Sequence, residues 1–101
     1  MEIKVNKIDL VKTVTVKLQN MSINTTQKNT QIFVETLFDT IEETLLKGED
    51  LRLTGFGTFS LGTRKAHKGV IPKTGEEIYI PERNFVKFRS GKFLKEKILK
   101  V

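Results

Sequence analysis

Residues 55–92 read GFGTFSLGTRKAHKGVIPKTGEEIYIPERNFVKFRSGK. The turn Gly55-Phe56-Gly57 opens a strand that runs from Thr58 to about Lys68, with Phe59 and Leu61 on one face. Lys68 to Glu76 is dense in turn formers, and beyond it Ile78, Ile80, Val86 and Phe88 fall on one face of a second long strand. The pattern predicts a long hairpin. Pro81 has no N–H to give a ladder, so its strand is tolerable only at an edge or a bulge, as in a two-stranded ribbon projecting from a body.

Upstream of the hairpin, Leu51 to Leu53 reads as a short strand. Before it, Thr25 or Thr26 can cap a helix whose apolar residues Phe33, Leu37, Phe38, Ile41, Leu45 and Leu46 recur at three and four and which Gly48 ends. Its other face carries Glu35, Asp39, Glu42 and Glu43, a solvated surface and not a pair of catalytic carboxylates, since no His, Cys or metal-ligand partner is near in sequence. At the start, Asn6 followed by Asp9 resembles a helix N-terminus for residues Lys7 to Gln19. Val11, Thr13, Val14, Thr15 and Val16 are β-branched, however, and Val14, Val16 and Leu18 alternate as a strand would, so periodicity leaves this element open. Downstream, Ser90 is placed to cap a short helix, Gly91 to Leu99, with Leu94 and Ile98 on its packed face.

The chain has 101 residues, enough for one domain, and 38% hydrophobic residues without Trp, so a monomer would bury its apolar surface incompletely. Oligomerisation is one remedy. With no Cys, disulfides, thiolate nucleophiles and cysteine-based zinc sites are excluded, and a single His cannot make a metal site. The segment Met1 to Leu18 has no unbroken apolar run of seven or more residues and carries Lys4, Lys7, Asp9 and Lys12, which argues against a signal peptide or membrane span. Charge is uneven. The net of +6 divides into an acidic middle, with six acids against Lys28 and Lys47 over residues 18–50, and a basic second half, with twelve Lys and Arg against four Glu over residues 51–101. That half is where a polyanion would bind, although a solvated basic surface would show the same count.

Gly55-Phe56-Gly57-Thr58-Phe59, Lys68-Gly69, Pro72-Lys73-Thr74-Gly75-Glu76, Ile80-Pro81 and Phe88-Arg89-Ser90-Gly91-Lys92 with Leu94-Lys95, in this order and spacing, closely resemble the bacterial histone-like HU and integration host factor family. Asn6-Lys7 with Asp9-Leu10 looks like the family's opening. The resemblance implies an α+β fold: two N-terminal helices, a three-stranded antiparallel sheet extended into a β-ribbon arm, and a short C-terminal helix, in an intertwined dimer. It makes the first segment a helix. It also implies one domain over 1–101, with a body of 1–61 and 85–101 and an arm of 62–84. The function implied is that of a non-catalytic, cofactor-free architectural protein of the cytoplasmic nucleoid. Such a protein holds duplex DNA through phosphates and minor-groove arms and bends it.

On that resemblance Phe56, Phe59 and Phe88, with Phe38, fill the dimer core. The arm brings Arg64, Lys65, His67, Lys68, Lys73 and Arg83 to DNA, and Pro72 at its tip is the wedge between base pairs. Lys87 and Arg89 on the last strand and Lys7, Lys92 and Lys95 on the body neutralise phosphates without reading sequence. Two features depart from the family. Val70-Ile71 stands where Arg-Asn is common, which removes a cationic probe and is expected to extend the apolar wedge. The join from Asn20 to Thr26 is several residues longer than usual. A homodimer preferring bent, nicked or flexible DNA is the leading expectation. A sequence-preferring subunit of a heterodimer, and a protein-interaction dimer using the acidic helix and the apolar tip, stay open.

Overall fold

Asn6 and Asp9 form a reciprocal cap. The Asn6 side chain accepts from the Asp9 backbone N–H at 2.9 Å, and the Asn6 N–H donates to the Asp9 carboxylate at 3.3 Å. Behind this cap runs α1, Lys7–Asn20, in a computed structural model that describes residues 3–101. Met1 and Glu2, the opening of the segment expected to hold no signal peptide, lie outside the described residues. The β-branched residues that left α1 open are accommodated by back-bonding: the Thr13 and Thr15 hydroxyls donate to the Asp9 and Val11 carbonyls at 3.0 and 2.7 Å.

The long join has its own geometry. Ile23 N–H reaches the Leu18 carbonyl at 2.9 Å and Ser22 N–H the Gln19 carbonyl at 3.0 Å, the paired bonds of a Schellman end, with Ser22 at φ 64°. The Gln19 side-chain amide then ties the loop down by donating to the Thr25 carbonyl at 3.0 Å. Because a side chain in the left-handed region costs about 1–2 kcal/mol, Ser22→Gly is expected to stabilise the fold by about 1 kcal/mol. A higher urea midpoint at unchanged slope would show it, and an unmoved midpoint would refute it.

Of the two caps open to α2, Gln27–Leu46, Thr26 is the one used, its hydroxyl accepting from Asn29 N–H at 3.1 Å. Thr25 turns inward with Thr30, and both are buried together with Val11, Thr15 and Val34. Such hydroxyls are tolerated inside because each is bonded: Thr30 donates to the Thr26 carbonyl at 3.0 Å and lies 3.4 Å from the Thr25 hydroxyl. The larger apolar residues of α2 are not covered within the chain, Phe33 being 63% and Leu37 56% exposed. Gly48, at φ 77°, ends the helix with a second Schellman pair to Leu45 and Thr44.

The chain forms two compact units, Met1–Glu42 and Glu43–Val101. The second holds β1 (Leu51–Leu53), β2 (Gly57–Arg64), β3 (His67–Val70), β4 (Glu77–Ile80), β5 (Arg83–Ser90) and α3 (Lys92–Leu99). The order β1-β2-β5 makes an antiparallel sheet, in register from Gly57↔Ser90 to Arg64↔Arg83. The expected hairpin keeps one register along its length, His67↔Ile80 continuing the pairing that ends at Arg64↔Arg83, but its ladder lapses midway. Lys65-Ala66 and Pro81-Glu82 interrupt it on both strands, and β3 pairs with β4 as a separate two-stranded sheet. Pro81, which cannot donate, sits at that break.

Val86 and Phe88 share the face of Phe59 and Leu61, as expected, and Ile78 and Ile80 share a face of the outer sheet with Gly69 and His67. A correction is needed at α3, whose N-cap is Gly91 without a side-chain cap bond, because Ser90 is still the last paired residue of β5. Gly91 N–H instead donates to the Phe56 carbonyl at 2.8 Å, fixing the start of α3 to the Gly55 turn.

Candidate nucleic-acid interface

Cross-strand partners share a face of a sheet and neighbours along a strand alternate, so the register sorts the second unit's residues into two faces. One carries Leu51, Leu53, Phe59, Leu61, Val86 and Phe88. There the Phe88 ring packs 4.8 Å from Phe59 and 5.5 Å from Phe56, and over Gly57, where a methyl group would come within 2.5 Å of it. The other face carries Arg52, Arg64, Arg83, Lys87 and Arg89 among Thr58, Ser60, Gly62 and Phe85. Five cations thus share a face with no acid among these paired residues. That is a surface built for a polyanion, since like charges in one register repel until counter-charge arrives.

Beyond the break, the small outer sheet carries Lys68 and Tyr79 opposite one another, and His67 opposite Ile80. His67 Nδ1 lies 3.1 Å from the Lys65 carbonyl, so the ring is held by backbone and not by a carboxylate that would orient a general base. At the tip, Ile71 N–H donates to the Glu76 carbonyl at 2.9 Å and Gly75 N–H to the Ile71 carbonyl at 2.8 Å, with Gly75 at φ 71°. This turn leaves Pro72 and Lys73 exposed. The two apolar residues before Pro72 are not equivalent: Val70 is 60% exposed, while Ile71 is half-buried.

Among the described residues the one ion pair is Lys7 with Glu35, Nζ to Oε1 at 3.3 Å. The hydrogen bond from Gln31, and then Lys7, hold the Glu35 carboxyl below its ordinary range. Glu35 thus occupies one of the three donors of the half-exposed Lys7 ammonium. Lys92 and Lys95 stand exposed in the first turn of α3. The aromatic residues expected in a dimer core are half-covered: Phe38 is 41%, Phe56 49% and Phe88 44% exposed.

Arg52 and Phe85 belong to the cationic face but were not among the residues expected there. Alternation from Arg89 through Lys87 would have reached Phe85. Arg52 becomes visible only through the pairing Arg52↔Thr58.

Residues 5–99 match the family model described as bacterial DNA-binding protein. The chain is 44% identical over 72 residues to the DNA-binding protein HU of Thermotoga maritima, covering 71% of this chain and 80% of that one. It is 41% identical over 73 residues to the integration host factor subunit alpha of Buchnera aphidicola, covering 72% and 73%. Among solved structures, the HU protein of an Anabaena HU–DNA cocrystal superposes with a TM-score of 0.82 at 34% identity, over 93% of this chain and 97% of that one. HU and integration host factor are thus relatives in sequence, HU is matched in structure, and the cationic sheet face is present; the chain belongs to the bacterial DNA-binding protein family of HU and integration host factor, and is an architectural DNA-binding protein.

Proposed function

We propose that the chain acts as a homodimer on nucleoid DNA, lays the duplex on the face formed by Arg52, Arg64, Arg83, Lys87 and Arg89, and bends it with the arm tips. The observation that carries this is the segregation of those five cations onto one sheet face, opposite the apolar face that holds Phe59 and Phe88. The half-exposed Phe56 and Phe88, and Phe38 on α2, supply apolar surface for a second copy. Lys7, Lys92 and Lys95 then meet the flanks of the bent duplex, while Lys65, His67, Lys68 and Lys73 line the arm. At the tip Pro72 enters a base step, and exposed Val70 widens the wedge with half-buried Ile71 behind it. Contacts of this kind read shape and flexibility more than base edges.

Binding to matched intact and nicked duplexes, with Pro72→Ala beside the wild type, tests the mechanism. Unstacking a base step costs a few kcal/mol, so a nick that removes this cost should favour wild-type binding by about tenfold or more. Pro72→Ala is expected to lose most of that preference while keeping its dependence on salt. Equal binding of the wild type to both duplexes would remove the wedge.

A further inference from the structure

The cationic sheet face ends, at the root of the outer sheet, in a cleft of about 360 Å³ lined by Arg64, His67, Ile80, Pro81, Arg83 and Phe85. Arg64 and Arg83 are direct cross-strand partners. Two guanidinium groups in that relation repel, and among the described residues neither is paired with a carboxylate. Arg64 is held instead by a ring: its guanidinium carbon lies 5.6 Å from the centroid of Phe85, within the range where the face of an aromatic ring attracts a cation. Phe85 can lie there because its own partner across the ladder is Gly62, where a methyl group would clash with the ring. The glycine is therefore what leaves room for the ring beside the strand.

We propose that this cleft binds one backbone phosphodiester of the DNA between Arg64 and Arg83, and that Phe85, seated on Gly62, is the residue that positions Arg64 for it. An anion between the two guanidinium groups replaces their repulsion with charge-assisted hydrogen bonds. Arginine suits both halves of the task at once, since its plane stacks on a ring while its N–H edge stays free for oxygen, whereas lysine has one compact ammonium to divide between ring and phosphate. The cleft also places a phosphate grip at the break between the two sheets, before the outer sheet begins. This inference rests on the DNA-binding function given above and adds to it a defined site and a residue that touches no phosphate itself.

The test is the affinity for a fluorescent duplex of the wild type, Phe85→Leu, Phe85→Tyr, Arg64→Lys and the double variant Arg64→Lys/Phe85→Leu, with a thermal melt of each protein. Phe85→Leu is expected to weaken binding about threefold, the size of an exposed cation–ring contact. Phe85→Tyr keeps the ring and should keep wild-type affinity, and Phe85→Leu should add a smaller loss once Arg64 is lysine, which cannot stack on the ring while holding the phosphate edge-on. The same loss in both backgrounds, or a loss in Phe85→Tyr equal to that in Phe85→Leu, would make the ring a packing residue and overturn the proposal. Inorganic phosphate titrated into the free protein, followed by the amide signals of residues 62–67 and 80–85, checks the source of the anion. Saturating shifts, together with full duplex affinity in Arg64→Lys, would assign the cleft to a free anion and overturn it as well. If the wild type fails to bind the duplex at low salt, DNA binding falls and takes the cleft with it; if the wild type binds and only the coupling is missing, the cleft alone falls.

Discussion

Phe88→Ala is expected to destabilise the protein by about 3–5 kcal/mol, the range for removing a large ring from a core. Within one chain Phe88 is still 44% exposed, which by itself would argue for a smaller cost. Its contacts argue otherwise, because the ring meets Phe59 and Phe56 and covers Gly57, so it joins β2, β5 and the Gly55 turn at one point. If a second copy covers the remaining surface, the full cost applies. The melting midpoint of the wild type should then rise with protein concentration, as it does when association stabilises a fold, and Phe88→Ala should lower it at every concentration. DNA binding should disappear over the same temperature range as helicity. A loss below about 1 kcal/mol would place Phe88 outside any core, since surface substitutions rarely exceed that.

The second large effect is on salt dependence. Each phosphate neutralised contributes a slope of about −0.9 in log affinity against log salt concentration, and six to ten contacts lose about three to five decades between 50 and 200 mM. The cationic sheet face alone offers five groups, and the arm and body lysines can take the total past six. The wild type should therefore lose about a thousandfold over that range. Lys87→Gln with Arg89→Gln should make the slope shallower by about 2. These residues stand two apart on β5, exposed and without ion pairs among the described residues, so their removal should leave the melt nearly unchanged. A double variant with the wild-type slope would place the duplex elsewhere on the protein.

Much of this was legible in the sequence because several signals agreed locally. The cap at Asn6 and Asp9, the helix stop at Gly48 and the turn at Gly55 each depend on a few adjacent residues, and each forms as the local chemistry dictates. The break in the hairpin was legible only in part. Pro81 marked an edge or a bulge, but Ile78, Ile80, Val86 and Phe88 have the same parity, and the register runs on through the two unladdered residues of each strand, so periodicity does not show where the ladder lapses. Ser90 misled for a related reason: it is a good cap by type, but pairing with Gly57 keeps it in the strand. In the site, Arg64, Arg83, Lys87 and Arg89 were marked by their charge together with the family resemblance, since charge alone fits a solvated surface as well. Phe85 was missed because it is apolar, and Arg52 because its place depends on a strand pairing with Thr58 that sequence does not display.

The separation of the outer sheet has a consequence for how such a protein can diverge. β3 and β4 pair only with each other, and the turn joining them is held by the backbone bonds of Ile71, Glu76 and Gly75. Side chains at Val70, Pro72 and Lys73 are exposed and hold nothing in the body together. Most substitutions there are nearly free of stability cost, so selection on DNA contact can act without selection on folding standing in the way. The tip is thus a tool that can be exchanged without rebuilding the handle that carries it.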